Sequence, residues 1–145
     1  MKARYLTGIL AAVAIAVLAL GIGGCRRVTN NGKLDGNWRI VTIEDLETGS
    51  VADVAYVGGD SRFIDIQLEI FQLRSYGSRP LLVTGEMRYE KGGSEVGVTF
   101  QKAATLSSLE YFGIPEREVV MKIEQLDSKM LKLRTPKTPV TCRRF

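Results

Sequence analysis

The sequence predicts an all-β domain, a small up-and-down antiparallel β-barrel of seven or eight strands with one short helix. Two observations predict this fold class. Apolar and polar side chains alternate with a period of two through most of residues 34–145, which is the pattern of strands that bury one face. Turn residues such as Gly92-Gly93 separate these runs, without a long helical crossover between them. Successive hairpins form a meander that can close on itself and lose its edges, and a β-sandwich is the alternative.

The clearest alternation runs from residue 62 to residue 74. Aliphatic side chains occupy every second position from Ile64 to Ile70, and acidic or amide side chains stand between them. A helix would distribute these aliphatic residues around its circumference, so the pattern predicts a strand. Because the run is long for a strand, we expect it to be bent or strongly twisted. Phe63, Phe71 and Leu73 then share its polar face.

The other predicted strands are shorter and are bounded by glycine, proline or Asp-Ser. They comprise residues 36–43, 81–90, 96–100, 118–124, 130–134 and 140–145. In the first of them, Trp38, Ile40 and Thr42 are predicted to face one way and Ile43 the other. Between residues 104 and 112 the apolar period changes to three, which predicts a short helix that ends at Gly113.

The first 24 residues have the layout of a secretory signal peptide, because a basic start is followed by an uncharged, strongly apolar stretch. This stretch ends in Ile22-Gly23-Gly24-Cys25, which resembles the lipobox of bacterial lipoproteins, where the cysteine is acylated and becomes the mature N-terminus. An uncleaved transmembrane helix is the alternative. The glycines and the Arg26-Arg27 pair disfavour that alternative.

The resemblance to a lipobox divides the chain into a signal peptide (residues 1–24), a tether with lipidated Cys25 (residues 25–33) and a barrel domain (residues 34–145). It also implies export and a lipid anchor in the cell envelope. Arg26 stands where an acidic residue would retain a lipoprotein in the inner membrane, so the outer membrane is expected. The tether lacks an acidic cluster of the kind associated with surface display, which favours the periplasmic side.

Composition excludes several classes of function. The 20 basic residues only slightly outnumber the 16 acidic ones, and Lys2 and Arg4 would leave with the leader, so nucleic-acid binding is not expected. Histidine is absent, so neither a zinc site nor a histidine-based triad is expected, and no cofactor is predicted. If Cys25 carries lipid, Cys142 has no partner for a disulfide, and we predict that it is a small buried apolar residue.

Motifs at both ends of the domain resemble a known family. Leu34-Asp35-Gly36-Asn37-Trp38 carries the Gly-x-Trp that opens the first strand of lipocalins, and the chain closes on Cys142-Arg143-Arg144-Phe145. Phe112-Gly113-Ile114 and the segment 126–133 add to the likeness. Over residues 34–145 the chain therefore resembles small bacterial lipocalin-like (calycin-type) lipoproteins. The motifs that line the barrel mouth in that family are not recognisable.

A tryptophan and an arginine are predicted to plug one end of the barrel. An indole ring with a guanidinium group over it closes such an end through burial and a cation–π contact. Trp38 is the only tryptophan, and Arg144, rather than Arg143, shares the strand face of Cys142. The alternative is that Trp38 is an ordinary core residue and that both arginines are solvated.

The predicted function is the binding of a small apolar ligand, and an envelope interaction or structural module is the alternative. The resemblance implies a small apolar ligand inside the barrel, and the candidate lining residues are the apolar alternates Ile66, Leu68, Ile70, Val83, Met87, Val98, Met121 and Ile123. The alternative for these residues is a packed core. A filled barrel would instead be an envelope interaction or structural module, whose protein partner the sequence does not specify. Residues 109–114 are expected to cap one barrel end, with an exposed contact patch as the alternative.

An enzymatic function is not expected. The acid/base candidates are five charged residues on or next to the predicted strands: Asp65, Glu69, Glu86, Arg88 and Glu95. They are better interpreted as charge pairs on a solvated face. The sequence has no nucleophile beside a base, no glycine-rich phosphate loop and no cluster of metal ligands.

Overall fold

The computed structural model describes residues 30–54 and 59–145. The predicted signal peptide, Cys25 and the first part of the tether lie outside the described residues. Within the described ranges, no helix has the length and apolar character needed to cross a membrane.

The described residues form nine strands, one α-helix and a single turn of 3-10 helix at Gly32–Leu34. In chain order these elements are β1 (Gly36–Glu44), β2 (Val51–Asp53), β3 (Ser61–Gln67), β4 (Ile70–Tyr76), β5 (Leu81–Tyr89), β6 (Glu95–Phe100), α1 (Leu106–Glu110), β7 (Glu118–Leu126), β8 (Met130–Arg134) and β9 (Pro139–Arg144). The predicted short helix is present, and its Thr105 N-cap accepts a hydrogen bond from the backbone N–H of Ser108.

Eight of the strands close into a barrel. Strands β3 to β9 pair with their neighbours in sequence order, all antiparallel, and β1 pairs with both β3 and β9. In this closure Trp38 lies opposite Arg144 on one side and opposite Ile64 on the other. The extra strand β2 pairs with the second half of β1. The up-and-down antiparallel barrel predicted from the sequence is confirmed, and the β-sandwich alternative is wrong.

The single strand predicted over residues 62–74 is wrong, because this segment is the β3–β4 hairpin with a two-residue turn at Leu68-Glu69. Ile66 pairs with Phe71, so the inward face changes from even-numbered to odd-numbered positions across the turn. Phe71, predicted on the polar face, is 0% exposed, whereas Leu68 and Ile70 are 41% and 49% exposed. The prediction that Leu68 and Ile70 line the interior is therefore wrong.

A β-bulge corrects the predicted faces of β1. Its pairing with β9 shifts register between Ile40 and Thr42, and a bulge inserts a residue that reverses the alternation beyond it. Ile43, predicted to face away from Trp38, consequently packs against the core.

One hydrophobic core fills the barrel and draws side chains from all eight of its strands. Cys142 is 0% exposed within this core. Burial raises the pKa of its thiol far above the ordinary value, so the thiol stays protonated and behaves as the small apolar residue that the sequence predicted.

Candidate functional site

Most of the side chains predicted to line the interior face it and are buried: Ile66, Val83, Met87, Val98 and Met121. Ile123 is partly buried and packs against the same core. Leu68 and Ile70 are the exceptions. Leu68 lies in the exposed turn of the β3–β4 hairpin, and Ile70 is the first residue of β4 after that turn.

The interior is filled by the protein's own side chains. Trp38, Phe71 and Phe112 are each 0% exposed, and the rings of Phe71 and Phe100 meet edge to face at 6.1 Å between centroids. A cavity able to hold even a water molecule would leave accessible surface on the side chains around it, and no such space lies beside these residues. Val83 and Met87 on β5 keep 8% and 3% of their surface exposed. The described residues therefore form a packed core where the binding hypothesis expects a ligand.

Trp38 and Arg144 come together at one barrel end, which we call the plug end. The Arg144 Cζ atom lies 4.2 Å from the Trp38 ring centroid, and Trp38 Nε1 donates a hydrogen bond of 2.9 Å to Leu34 O. Arg144 also donates from Nη1 to Asp35 O at 3.1 Å and from Nη2 to Lys33 O. One guanidinium group thus lies over the indole ring and holds the chain that precedes β1.

The opposite barrel end is closed by residues 105–114, which we call the helical cap. Leu109, Phe112 and Ile114 are each 0% exposed and belong to the core. This segment connects β6 to β7 and lies across the barrel end opposite Trp38. The sequence correctly placed these residues at a barrel end.

Gly113 gives a test of how tightly the helical cap is seated. It has φ +79°, and a Cβ atom there would lie 2.9 Å from Val140 Cγ2 and 3.0 Å from Ile43 Cγ2. We expect Gly113→Ala to lower the free energy of unfolding by about 2–4 kcal/mol, since left-handed strain adds to overpacking. Gly49→Ala is the matched control, because Gly49 has φ +69° with no atom near the added Cβ. Urea titrations measure the free energy of unfolding of both variants. Equal decreases for Gly113→Ala and Gly49→Ala would contradict close packing under the cap.

A polar cluster fastens the helical cap to the barrel wall, and we call it the Tyr111 clasp (Asp60, Arg62, Arg79, Ser107 and Tyr111). The Tyr111 ring lies near two arginines, with the Cζ atom of Arg62 at 3.6 Å from its centroid and that of Arg79 at 4.8 Å. Arg62 Nη1 donates to Tyr111 O at 2.7 Å, and Tyr111 donates its hydroxyl proton to Asp60 Oδ2 at 3.2 Å. Arg79 Nη2 donates to Ser107 Oγ at 3.1 Å.

The carboxylate of the Tyr111 clasp makes it sensitive to acid. Hydrogen bonds from the Ser78 backbone N–H and hydroxyl, with Tyr111 adding to them, hold the pKa of Asp60 below its ordinary value of 3.8. Because the folded-state pKa is the lower one, the contribution of Asp60 to stability is present above that ordinary value. It is lost as the pH falls through the folded-state pKa.

We therefore expect Asp60→Asn to lower the free energy of unfolding at pH 7 and to reduce the loss of stability on acidification. Urea titrations of both proteins between pH 7 and pH 2 measure this difference. Glu116→Gln, at an exposed carboxylate, is the control. An Asp60→Asn curve parallel to the wild-type curve at every pH would contradict the role of this carboxylate.

Two open grooves lie outside the barrel near the plug end. One, of about 660 Å³, runs over β3 and β4 and includes the Arg74–Asp65 ion pair at 2.8 Å. Burial raises the pKa of Asp65, and the charge of Arg74 opposes this effect. The other, of about 600 Å³, lies beside Asn31. Its lining brings together three of the acid/base candidates from the sequence: Glu69, Glu86 and Arg88.

The described residues include no group of three or more histidine, cysteine, aspartate or glutamate side chains placed to hold a metal ion. Asp65 faces Arg74 in an ion pair, and this arrangement neutralises the carboxylate rather than presenting it to a substrate. The grooves therefore offer charged and polar side chains for contacts with a partner.

A small closed antiparallel barrel with this meander topology is typical of binding proteins rather than of enzymes. The family model described as lipocalin-like domain matches residues 18–145. The chain belongs to this family, so the resemblance predicted from the sequence is confirmed.

Two solved structures share the fold. A lipocalin-like protein from Bacteroides uniformis superposes with a TM-score of 0.64 at 23% identity, over 79% of this chain and 100% of that one. An uncharacterized protein from Bacteroides eggerthii gives a TM-score of 0.61 at 19% identity, over 77% of this chain and 98% of that one. The search of curated proteins produced no match. At these identities the likeness establishes the fold alone.

Sequence reasoning missed the Tyr111 clasp and the two grooves. Two strands separate Arg79 from Tyr111 along the chain and four separate Asp60 from it, so no local sequence pattern links these residues. The strongest available signal was the Phe112-Gly113-Ile114 segment, which marked the cap without indicating what holds it.

Proposed function

We propose that this protein is an exported lipoprotein, anchored through lipid on Cys25 to the periplasmic side of an outer membrane, and that it binds a partner without catalysis. The apolar leader and the lipobox-like residues before Cys25 support the anchor. Membership of the lipocalin-like domain family supports a binding role, because such barrels typically bind rather than catalyse.

The packed interior supports an interaction or structural module as the mode of binding. Trp38 closes one end of the barrel and Phe112 closes the other, and both are 0% exposed. A partner would then meet the outer surface, where Tyr76 and Leu82 are 50% and 64% exposed beside the Arg74–Asp65 pair. Exposed aromatic and aliphatic side chains next to a partly desolvated arginine are typical of protein contact surfaces.

A small apolar ligand is the second candidate, and the helical cap is the observation that favours it. Leu109, Phe112 and Ile114 fill the mouth of the barrel but are held there without a covalent bond, by packing and the Tyr111 clasp. Displacement of the cap would open an apolar space next to the core residues at the cap end of β6 and β7, Phe100 and Val119. An apolar ligand would then replace the side chains of the cap.

Native mass spectrometry of the mature protein, purified from the membranes of its own host, separates these possibilities. We expect a mass that includes an acyl addition at Cys25 and no retained small molecule. A retained small molecule would overturn the filled-barrel mode in favour of the ligand candidate. A mature N-terminus without acylation at residue 25 would overturn the anchoring.

A further inference from the structure

The described chain begins at the plug end, beside the β3–β4 turn. Asn31 Nδ2 donates to Leu68 O at 2.7 Å and to Asp35 Oδ1 at 2.6 Å, and the Asn31 backbone N–H donates to Asp35 Oδ2 at 3.0 Å. Asn31 is only 8% exposed. The point where the tether joins the domain is therefore fixed to the backbone of this turn.

The length of the tether limits how far this end lies from the proposed anchor. Whatever its conformation, the chain between Cys25 and Asn30 spans at most about 18 Å. A nine-residue strand such as β1 is about 30 Å long. If Cys25 carries lipid, the plug end is held near the bilayer, and the helical cap can stand a barrel's length away from it.

The β3–β4 turn carries an unusual residue at its tip. Leu68 has φ +56°, and it is the only non-glycine residue with positive φ among the residues that the structure describes. Two-residue hairpin turns favour glycine or asparagine in this conformation, because a Cβ atom is strained there. Leu68 is nevertheless 41% exposed, and Ile70 beside it is 49% exposed. Neither turn geometry nor core packing accounts for two exposed aliphatic side chains here.

We infer that Leu68 and Ile70 form a membrane-contact tip, which inserts into the interface of the bilayer that holds the lipid on Cys25. Insertion removes from water the apolar surface that the fold leaves exposed at this turn. Lys33 lies at the same end, whereas the Arg144 guanidinium is already bonded to the carbonyls of Lys33 and Asp35 and lies over Trp38. The exposed Glu69 stands between Leu68 and Ile70, so the contact proposed is apolar and shallow rather than one made by basic groups. The inference rests on the proposed anchoring and adds an orientation, in which the helical cap faces away from the membrane.

Site-specific fluorescence on the acylated, full-length mature protein tests this orientation. Leu68→Cys and Ile70→Cys are labelled with a polarity-sensitive dye after reconstitution into phosphatidylethanolamine–phosphatidylglycerol vesicles. Cys142 is 0% exposed and stays unlabelled, and the Cys25 thiol is consumed by the lipid. Leu46→Cys and Leu106→Cys are the controls, since these residues are 42% and 50% exposed at the opposite end.

We expect the dyes at residues 68 and 70 to show blue-shifted emission and quenching by shallow nitroxide lipids. The dyes at residues 46 and 106 should be quenched by aqueous iodide instead. If all four dyes on the acylated protein are quenched by iodide and show no blue shift, the membrane-contact tip is wrong and the anchoring still stands. Failure to associate with vesicles, together with a mass that lacks the acyl addition, would overturn the anchoring itself.

Discussion

Trp38→Ala is expected to lower the free energy of unfolding by about 3–5 kcal/mol. The indole is 0% exposed, so its removal leaves a large cavity at the plug end. The same change removes the hydrogen bond to Leu34 O and the ring beneath Arg144. Because a domain of this size is stable by only about 5–15 kcal/mol, the loss is a large part of the total. Urea unfolding followed by circular dichroism measures it without the tryptophan signal.

Two comparisons show whether the loss arises at the plug. Leu82→Ala, at a 64% exposed position, is expected to change stability by less than about 0.5 kcal/mol. Arg144→Ala, alone and combined with Trp38→Ala, closes a double-mutant cycle with an expected coupling of about 0.5–1 kcal/mol. If Trp38→Ala lowers the free energy of unfolding by less than about 1 kcal/mol, or if the effects of the two substitutions are additive, Trp38 and Arg144 do not form a plug together.

The barrel could be predicted because each of its strands buries one face. In β5, in β6 and in β7 as far as Ile123 the alternation is undisturbed, and Val83, Met87, Val98 and Met121 all face inward. Parity along β9 also selected Arg144 over Arg143 as the residue that lies across Trp38. A period of two therefore predicts which side chains face the core wherever the strand has no bulge and its turns carry the usual turn residues.

The β3–β4 hairpin could not be predicted for a specific physical reason. Its turn, Leu68-Glu69, contains none of the glycine, asparagine, aspartate or proline residues that indicate a reversal. Leu68 instead continues the aliphatic alternation of β3 through the turn itself. A two-residue turn then shifts the inward face by one position, which moves Phe71 into the core and Ile70 out of it.

The sequence also could not decide between a filled barrel and a hollow one. The inward aliphatic residues are the same in either case, and the result depends on a few large rings. Phe71 reaches the interior only because of the unpredicted turn, and Phe112 is supplied by the helical cap rather than by a strand. The packing of the interior is therefore a tertiary property, set by where these two rings lie.

Phe112→Ala is expected to lower the free energy of unfolding by about 3–5 kcal/mol and to create an apolar binding site beneath the helical cap. The ring is 0% exposed and packs near Leu109 and Ile114 in the core. Removing it leaves a space with apolar walls, and such a space stays dry and accepts a small apolar molecule. Benzene is therefore expected to raise the melting temperature of Phe112→Ala but not of the wild type.

Tyr111→Phe is the control for this experiment, because it removes the hydrogen bond to Asp60 without creating a cavity. We expect benzene to leave its melting temperature unchanged. Destabilisation of Phe112→Ala without any stabilisation by benzene would mean that the barrel end collapses, which weakens the case for a ligand under the cap. Stabilisation of the wild type itself by an apolar molecule would mean that the cap already yields to a ligand, and the ligand candidate would then replace the filled-barrel mode.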